Sequence, residues 1–460
     1  MEVFAIRALQ LILCLSLLVL LHEGGHFLAA KLFKIRVEKF ALFFDPWFRL
    51  FKWKPKKSHT EYVLGWLPLG GYVKISGMID ESMDTEQLKQ PVQPWEFRAK
   101  PAWQRLIVML AGVFVNFVLA LFIYSMILFT WGETYVPIEN ISTGFKFSEQ
   151  AKELGFRDGD VVVGTEQKTF TRFDSNQSIS DVYRSISKAS ACTVLRDGKK
   201  VQVPLPGDLN LLDMMKQVPP FMTLLSPSVI DSVVAGSPAD SIGLTAGDQI
   251  VGVNEKTIVS WNEYLDEVSR LNDGLADAET AADSMALRSL ALAVKHADGS
   301  VDSAHVVLDS QMMLGTSWHS PLANAEVVTK SYSFWEAIPA GAVYGWNVLK
   351  GYISDLKYIF TKEGAKSVGS FGTIGALFPT AWDWHRFWEL TAFISLILAF
   401  MNVLPIPALD GGHAFFLLYE VITRRKPSDK FMARAETIGI SLLILLMVVA
   451  LFNDFLRFVF

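Results

Sequence analysis

Leu20-Leu21-His22-Glu23-Gly24-Gly25-His26-Phe27-Leu28 closes an apolar run that begins at Val3 and is interrupted only by Arg7 and Gln10. On an α-helix, residues i and i+4 share a face, so His22 and His26 present two imidazole nitrogens to one metal ion. Glu23, turned roughly 100° from His22, reaches a water on that metal without being a ligand. Zinc suits the pattern, because a catalytic zinc takes about three protein ligands and leaves one position open. The plain alternative is two exposed histidines on a helix. Three ionisable groups beside some twenty apolar residues argue against it, since such groups are costly in a bilayer unless they serve a site. No small-residue cleavage site follows the run, so it reads as a retained first span, residues 3–30, and not as a signal peptide.

The surrounding chain agrees with a membrane setting. Of 460 residues, 51% are hydrophobic while 19% are charged, which points to a mixed membrane and soluble protein. The net charge of −5 gives no reason to expect nucleic-acid binding. Cys14 and Cys192 are too few for a disulfide framework or a thiolate zinc site. Downstream of the histidines, Lys31, Lys34, Arg36, Lys39, Arg49, Lys52, Lys54, Lys56 and Lys57 face only Glu38 and Asp45. The positive-inside rule puts this segment in the cytoplasm, the N-terminus outside and the histidine motif near the cytoplasmic face. Residues 62–75 are β-prone, with Pro68 and Gly70-Gly71 as turn formers, and predict a short hairpin. It either lies on the surface or dips into the bilayer where its backbone lines a protein cavity. Residues 79–96 read as an acidic loop. A second span, 106–131, carries Gly112 and Asn116 on one face, for tight helix packing or for an Asn116 side chain that reaches the site.

Residues 132–320 change character and contain a repeat. Gly155-Phe156-Arg157-Asp158-Gly159-Asp160-Val161-Val162 matches Gly243-Leu244-Thr245-Ala246-Gly247-Asp248-Gln249-Ile250, each leading into a β-prone run. Ser237-Pro238-Ala239 precedes the second copy. Two domains are expected, 132–222 and 223–320. In the following segment, 321–385, residues 335–360 suggest a helix along the membrane surface. The Gly-rich stretch 369–375 lacks the lysine of a phosphate loop, which argues against nucleotide binding. A third span, 387–404, runs into Asn402-Val403-Leu404-Pro405-Ile406-Pro407-Ala408-Leu409-Asp410-Gly411-Gly412-His413. Prolines and glycines break the helix there, and a carboxylate at membrane depth marks a functional site. Asp410 is the natural third metal ligand, with His413 competing for the role. His59, His296, His305, His319 and His385 are scattered and read as solvent-facing. A fourth span, 437–452, ends in Asn453-Asp454-Phe455.

The histidine motif in the first span and N-x-x-P-x-P-x-L-D-G-G in the third resemble the site-2 proteases, intramembrane zinc metalloproteases. The 155–162 and 243–250 copies resemble tandem PDZ domains, and their place between the second and third spans is similar to the bacterial RseP type, the regulators of sigma-E. The resemblance implies a polytopic α-helical membrane protein with four transmembrane helices, a membrane-associated β-hairpin and two inserted PDZ-like α/β domains. It implies one zinc ion held by His22, His26 and Asp410, with Glu23 as catalytic base and Asn402 contacting substrate. Pro405 and Pro407 beside it, Gly70, Gly71, Tyr72 and Val73 of the hairpin, and Asn116 are the remaining expected substrate contacts. The implied substrates are single-span membrane proteins, anti-sigma factors or leftover signal peptides. The implied location is the bacterial inner membrane, with both termini and the PDZ pair on the outer side. The PDZ grooves bind peptide or only exclude bulky substrates. The stretches 43–57 and 79–96 depart from the family's shorter forms. A membrane-anchored PDZ scaffold without proteolysis is the competing reading; it predicts that Glu23→Gln is tolerated. A transporter would need paired broken helices in repeated halves, and the only repeat lies in the polar region.

Overall fold

A computed structural model describes residues 2–78, 90–173, 177–275, 278, 280–322 and 325–459. It separates into two compact units, one formed by Met1–Glu133 with Ser331–Phe460 and the other by Thr134–Lys330. The acidic loop expected at 79–96 lies mostly outside the described residues.

In the first unit, α1 (Glu2–Leu32) leads into strands β1 (Val37–Phe44), β2 (Phe51–Trp53), β3 (Glu61–Leu64) and β4 (Leu67–Ile75), followed by α2 (Ala102–Trp131). The strands form one sheet in the order β2-β3-β1-β4. The hairpin expected at 62–75 is therefore corrected. β3 and β4 do not pair with each other; β1 lies between them, parallel to β3 and antiparallel to β4. Pro68, Gly70 and Gly71 sit inside β4, and the chain turns at Gly65 and Trp66. β4 can accommodate Pro68 because it is an edge strand, with no partner beyond it among the described residues. Gly71 is where this strand crosses α1: a Cβ there would lie 2.8 Å from Val19 Cγ1 and 2.6 Å from the Ala41 carbonyl oxygen.

After the inserted unit come α3 (Phe334–Asp355), α4 (Phe371–Leu377), α5 (Trp384–Val403), α6 (Asp410–Thr423) and α7 (Asp429–Val459). Among the described residues, four segments are long and apolar enough to cross a membrane: Val3–Leu32, Ala102–Trp131, Trp384–Val403 and Lys430–Phe458. The stretch expected as a helix along the membrane surface, 335–360, is helical over Phe334–Asp355. α3 runs antiparallel along α2, with Phe334 against Phe129, the Ile338 carbonyl near Ser125, and Gly345 against Leu121 and Tyr124. Ala337, Gly341 and Gly345 recur every four residues on its buried face and let the two backbones approach. The Gly-rich stretch 369–375 contributes most of α4. Asp454 on α7 accepts hydrogen bonds from the Ser370 and Thr373 backbone N–H groups and from both hydroxyls, and so anchors the start of that helix.

In the second unit the two sequence copies fold alike. Each G-x-x-x-G-D loop feeds a strand (Val161–Thr165; Gln249–Val253) that pairs antiparallel with the first strand of a later hairpin (Ala191–Arg196 with Lys199–Pro204; Ser289–Lys295 with Val301–Val307). Between them lie the helices Gln177–Lys188 and Trp261–Leu275. Along Ser289–Lys295 every second residue (Leu290, Leu292, Val294) is buried, the period of a half-covered strand. The repeated aspartate has one task in both copies. Asp160 accepts the Arg157 N–H and pairs with Arg196, while Asp248 accepts the Thr245 N–H and pairs with His296. The expected boundary at 222/223 is corrected, because strand Met222–Leu224 pairs with Phe145–Phe147 of the first copy. The unit also runs past residue 320, to Val328–Lys330, which joins a sheet with Glu133–Pro137.

Candidate metal centre

His22 and His26 lie one turn apart on α1, facing α2 and the start of α6. The helix of the third span ends at Val403, and residues 404–409 continue in irregular backbone, Ala408 with a left-handed φ of 78°. α6 then restarts with Asp410 as its first residue. Asp410 Oδ2 comes within 3.1 Å of His22 Nε2 and 3.3 Å of His26 Nε2, and the two Nε2 atoms are 3.3 Å apart. Tetrahedral zinc, with bonds of about 2.0–2.1 Å, requires ligand atoms roughly 3.3–3.4 Å apart. The three donors already form such a triangle. Beyond these imidazoles, Asp410 Oδ2 is buried with no hydrogen-bond partner among the described residues, which fits an atom reserved for a metal.

The groups behind the histidines set their tautomers. His26 Nδ1 lies 2.8 Å from the Val108 carbonyl, which can only accept; Nδ1 therefore carries the proton and Nε2 keeps its lone pair for a metal. His22 Nδ1 lies 3.3 Å from the amide of Asn116, whose Oδ1 is buried without a partner. With the amide rotated by a half turn, Oδ1 accepts the Nδ1–H of His22 and leaves its Nε2 free in the same way. Gly112, one turn before Asn116, makes room for both rings: a Cβ there would collide with His26 Nε2 and lie 2.9 Å from His22 Cε1.

One cavity contains the centre. It is lined by His22, Glu23 and His26 from α1, Tyr72, Val73 and Ile75 from β4, Asn402 from α5, and Ala408 to Asp410, His413 and Glu436 from the last third of the chain. The Glu23 carboxylate is hydrogen-bonded by the backbone of Val73, which joins the strand edge to the motif. Tyr72 is held by its hydroxyl, which donates to Asp45 and is also bonded by Lys39.

The expected residues are thus only partly brought together. His22, Glu23, His26, Asn402, Tyr72, Val73 and Asp410 share the cavity. Gly70, Gly71, Pro405 and Pro407 do not line it; Gly71 packs on α1, and the Pro407 carbonyl lies against Gly439 of α7. Asn116, expected to touch substrate, is buried behind His22. His413, the competing ligand, instead lies 3.3 Å from Glu436. Glu436 lies one position before the fourth span expected from residue 437 and is not among the expected site residues. A carboxylate beside an apolar run was the available signal.

A family model described as peptidase family M50 matches residues 10–446. The chain belongs to this family. It is similar to the regulator of sigma-E protease RseP of Salmonella typhimurium, 28% identical over 473 residues and covering 97% of each chain. The Escherichia coli regulator of sigma-E protease RseP is 27% identical, again over 97% of each. A Ralstonia nicotianae relative that carries zinc metalloprotease in its name is 25% identical over 98% of each chain.

Proposed function

We propose that this protein is a zinc-dependent intramembrane endopeptidase that cleaves single-span membrane proteins. The observation that carries this reading is the triangle of His22, His26 and Asp410 donors, 3.1–3.3 Å apart, in one cavity with Glu23. A zinc ion held by those three residues would acidify water and polarise a scissile carbonyl. Glu23 accepts the proton of the attacking water and delivers it to the departing amine as the C–N bond breaks. His26 and His22 keep their Nε2 lone pairs directed inward through Val108 and Asn116.

A transmembrane helix hides its carbonyls in its own hydrogen bonds, so it must be unwound before attack. The outer edge of β4, which has no strand partner beyond it among the described residues, is suited to hold the unwound segment by strand addition, placing its backbone beside Val73 and Glu23. Asn402, across the cavity, offers an amide to the freed backbone groups. The single cluster of ligands among the described residues supports one zinc per chain. The two copies in 134–330 act as PDZ-like modules, and they bind substrate tails or exclude substrates with bulky outer parts. By the basic residues that follow α1, the centre lies toward the cytoplasmic side of an inner membrane, with both termini and the inserted unit outside. The relatives' names, regulators of sigma-E, support a substrate in sigma-factor control, of the anti-sigma-factor type, with leftover signal peptides as the second substrate class.

The test is cleavage of a tagged single-span substrate in membranes by wild type and Glu23→Gln at matched expression, with zinc content measured in parallel. The expected result is product from wild type alone and equal zinc in both. Equal product from both sinks the mechanism.

A further inference from the structure

We propose that residues 46–57 form a lipid anchor. Its aromatic tip enters the hydrocarbon, and Lys54, Lys56 and Lys57 bind anionic phospholipid headgroups of the same leaflet. The strand ladder supplies a depth scale, because it is read against α1, which crosses the membrane. Phe51 pairs with Leu64, Leu64 with Leu42, and Leu42 with Gly71, which abuts Val19 of α1. Two residues along, Trp53 pairs with Tyr62, Tyr62 with Phe40, and Phe40 with Val73, which is bonded to Glu23. Below that row, Lys31 of α1 donates to the Thr60 hydroxyl. From Val19 to Lys31 the helix rises about 18 Å, so the β1–β2 turn lies well inside the level of the basic end of α1.

The side chains follow that scale. At the inner end Trp47 is 91% exposed, and Phe48, Leu50 and Phe51 are more than half exposed. Such a cluster is costly in water and stable in lipid. The turn is preformed, with Trp47 and Phe48 stacked on Trp66, whose indole N–H donates to the Pro46 carbonyl. The charges nearby are paired: Lys39 and Arg49 with Asp45, and Lys52 with Glu61. Toward the outer end come Trp53, at the position of an interfacial aromatic, and then Lys54, Lys56 and Lys57, all exposed. Apolar residues inward, tryptophan at the boundary and lysines outward is the order a leaflet imposes. The charge at the outer end selects an anionic headgroup.

The full-length chain is tested in nanodiscs of phosphatidylcholine alone or an equimolar mixture with phosphatidylglycerol. The native Cys14 and Cys192 are fully buried. A bimane label is therefore placed at Leu50→Cys or at Lys56→Cys. Lipids brominated on the acyl chain are expected to quench the label at position 50 and to leave that at 56 unquenched. Phosphatidylglycerol enrichment among retained lipids, read by mass spectrometry, is expected to fall at least about fivefold in the Lys54→Gln, Lys56→Gln, Lys57→Gln triple variant. An unquenched label at position 50 overturns the anchor. Unchanged enrichment in the triple variant overturns the anionic headgroup. Neither readout depends on proteolysis.

Discussion

Replacing Gly112 with alanine tests whether the cavity on α2 is shaped to two imidazoles. The added Cβ would lie 2.8 Å from His26 Cδ2 and 2.9 Å from His22 Cε1, and closer still to His26 Nε2. Ordinary contact begins at roughly 3.5 Å, so the His26 ring must retreat by about 1.2 Å at Nε2 and the His22 ring by about 0.6 Å. Backbone flanks the position, because Gly25 of α1 already sits against the Ala111 carbonyl, so the helices cannot simply part. A metal–ligand bond tolerates about 0.2 Å, and disturbing only the groups behind a ligand already costs 10–100-fold in affinity. Moving two of three ligands is expected to weaken zinc binding at least about 100-fold, near 2.7 kcal/mol, and to lower cleavage to match. The assay is chelator competition on the purified chain followed by zinc analysis, with cleavage of the same substrate and a thermal melt as the folding control. Gly112→Ala that holds zinc like wild type and cleaves at the wild-type rate would refute the reasoning.

Asn116→Leu removes the group behind His22; zinc affinity is expected to drop about 10–100-fold with the fold intact, again by chelator competition, and no change would leave His22 oriented by packing alone. Val73→Pro deletes the backbone donor that joins the edge of β4 to Glu23, on an edge strand where proline is accommodated. Cleavage is expected to fall roughly 10–100-fold with zinc content unchanged, and wild-type cleavage would remove the strand from the mechanism. In the unit formed by Thr134–Lys330, the hydrogen bond to Asp248 holds the His296 pKa above its ordinary value of 6.5. This stabilisation is complete below about pH 6.5 and is lost as the pH rises through the raised folded value. Hydrogen exchange in Gln249–Val253 and Ser289–Lys295, corrected for intrinsic rates, is therefore expected to quicken across that window in wild type and to lose this dependence in His296→Ala. The first copy, with Arg196 in the same place, should show no such window, and an identical response of both copies would count against the pairing.

What could be read from the sequence was local. His22, Glu23 and His26 are fixed by helix periodicity alone, and Asp410 announced itself through the prolines and glycines that interrupt a span. The repeat at 155–162 and 243–250 was legible because its loop and aspartate are bonded within three residues. The sheet was not. β1 and β2 lie in a stretch dominated by basic and aromatic residues, and nothing local says that β1 inserts between β3 and β4; that pairing is settled by packing against α1. The partner of α3 was equally hidden: Lys350, Asp355 and Lys357 point to a surface, while the Ala337, Gly341 and Gly345 spacing favours a helix neighbour, and only packing names α2. Asn116 could not be assigned to the ring it supports, because α1 and α2 meet only in three dimensions.

The position of β4 at the edge of its sheet bears on the choice of peptide bond. A strand read through its backbone can slide along its partner only in steps of two residues if its side chains are to keep their faces. A substrate docked on β4 is therefore counted in dipeptides. Inserting a single residue between its docking segment and its scission point should suppress or scatter cleavage, whereas inserting two should restore a single product whose end is displaced by two positions.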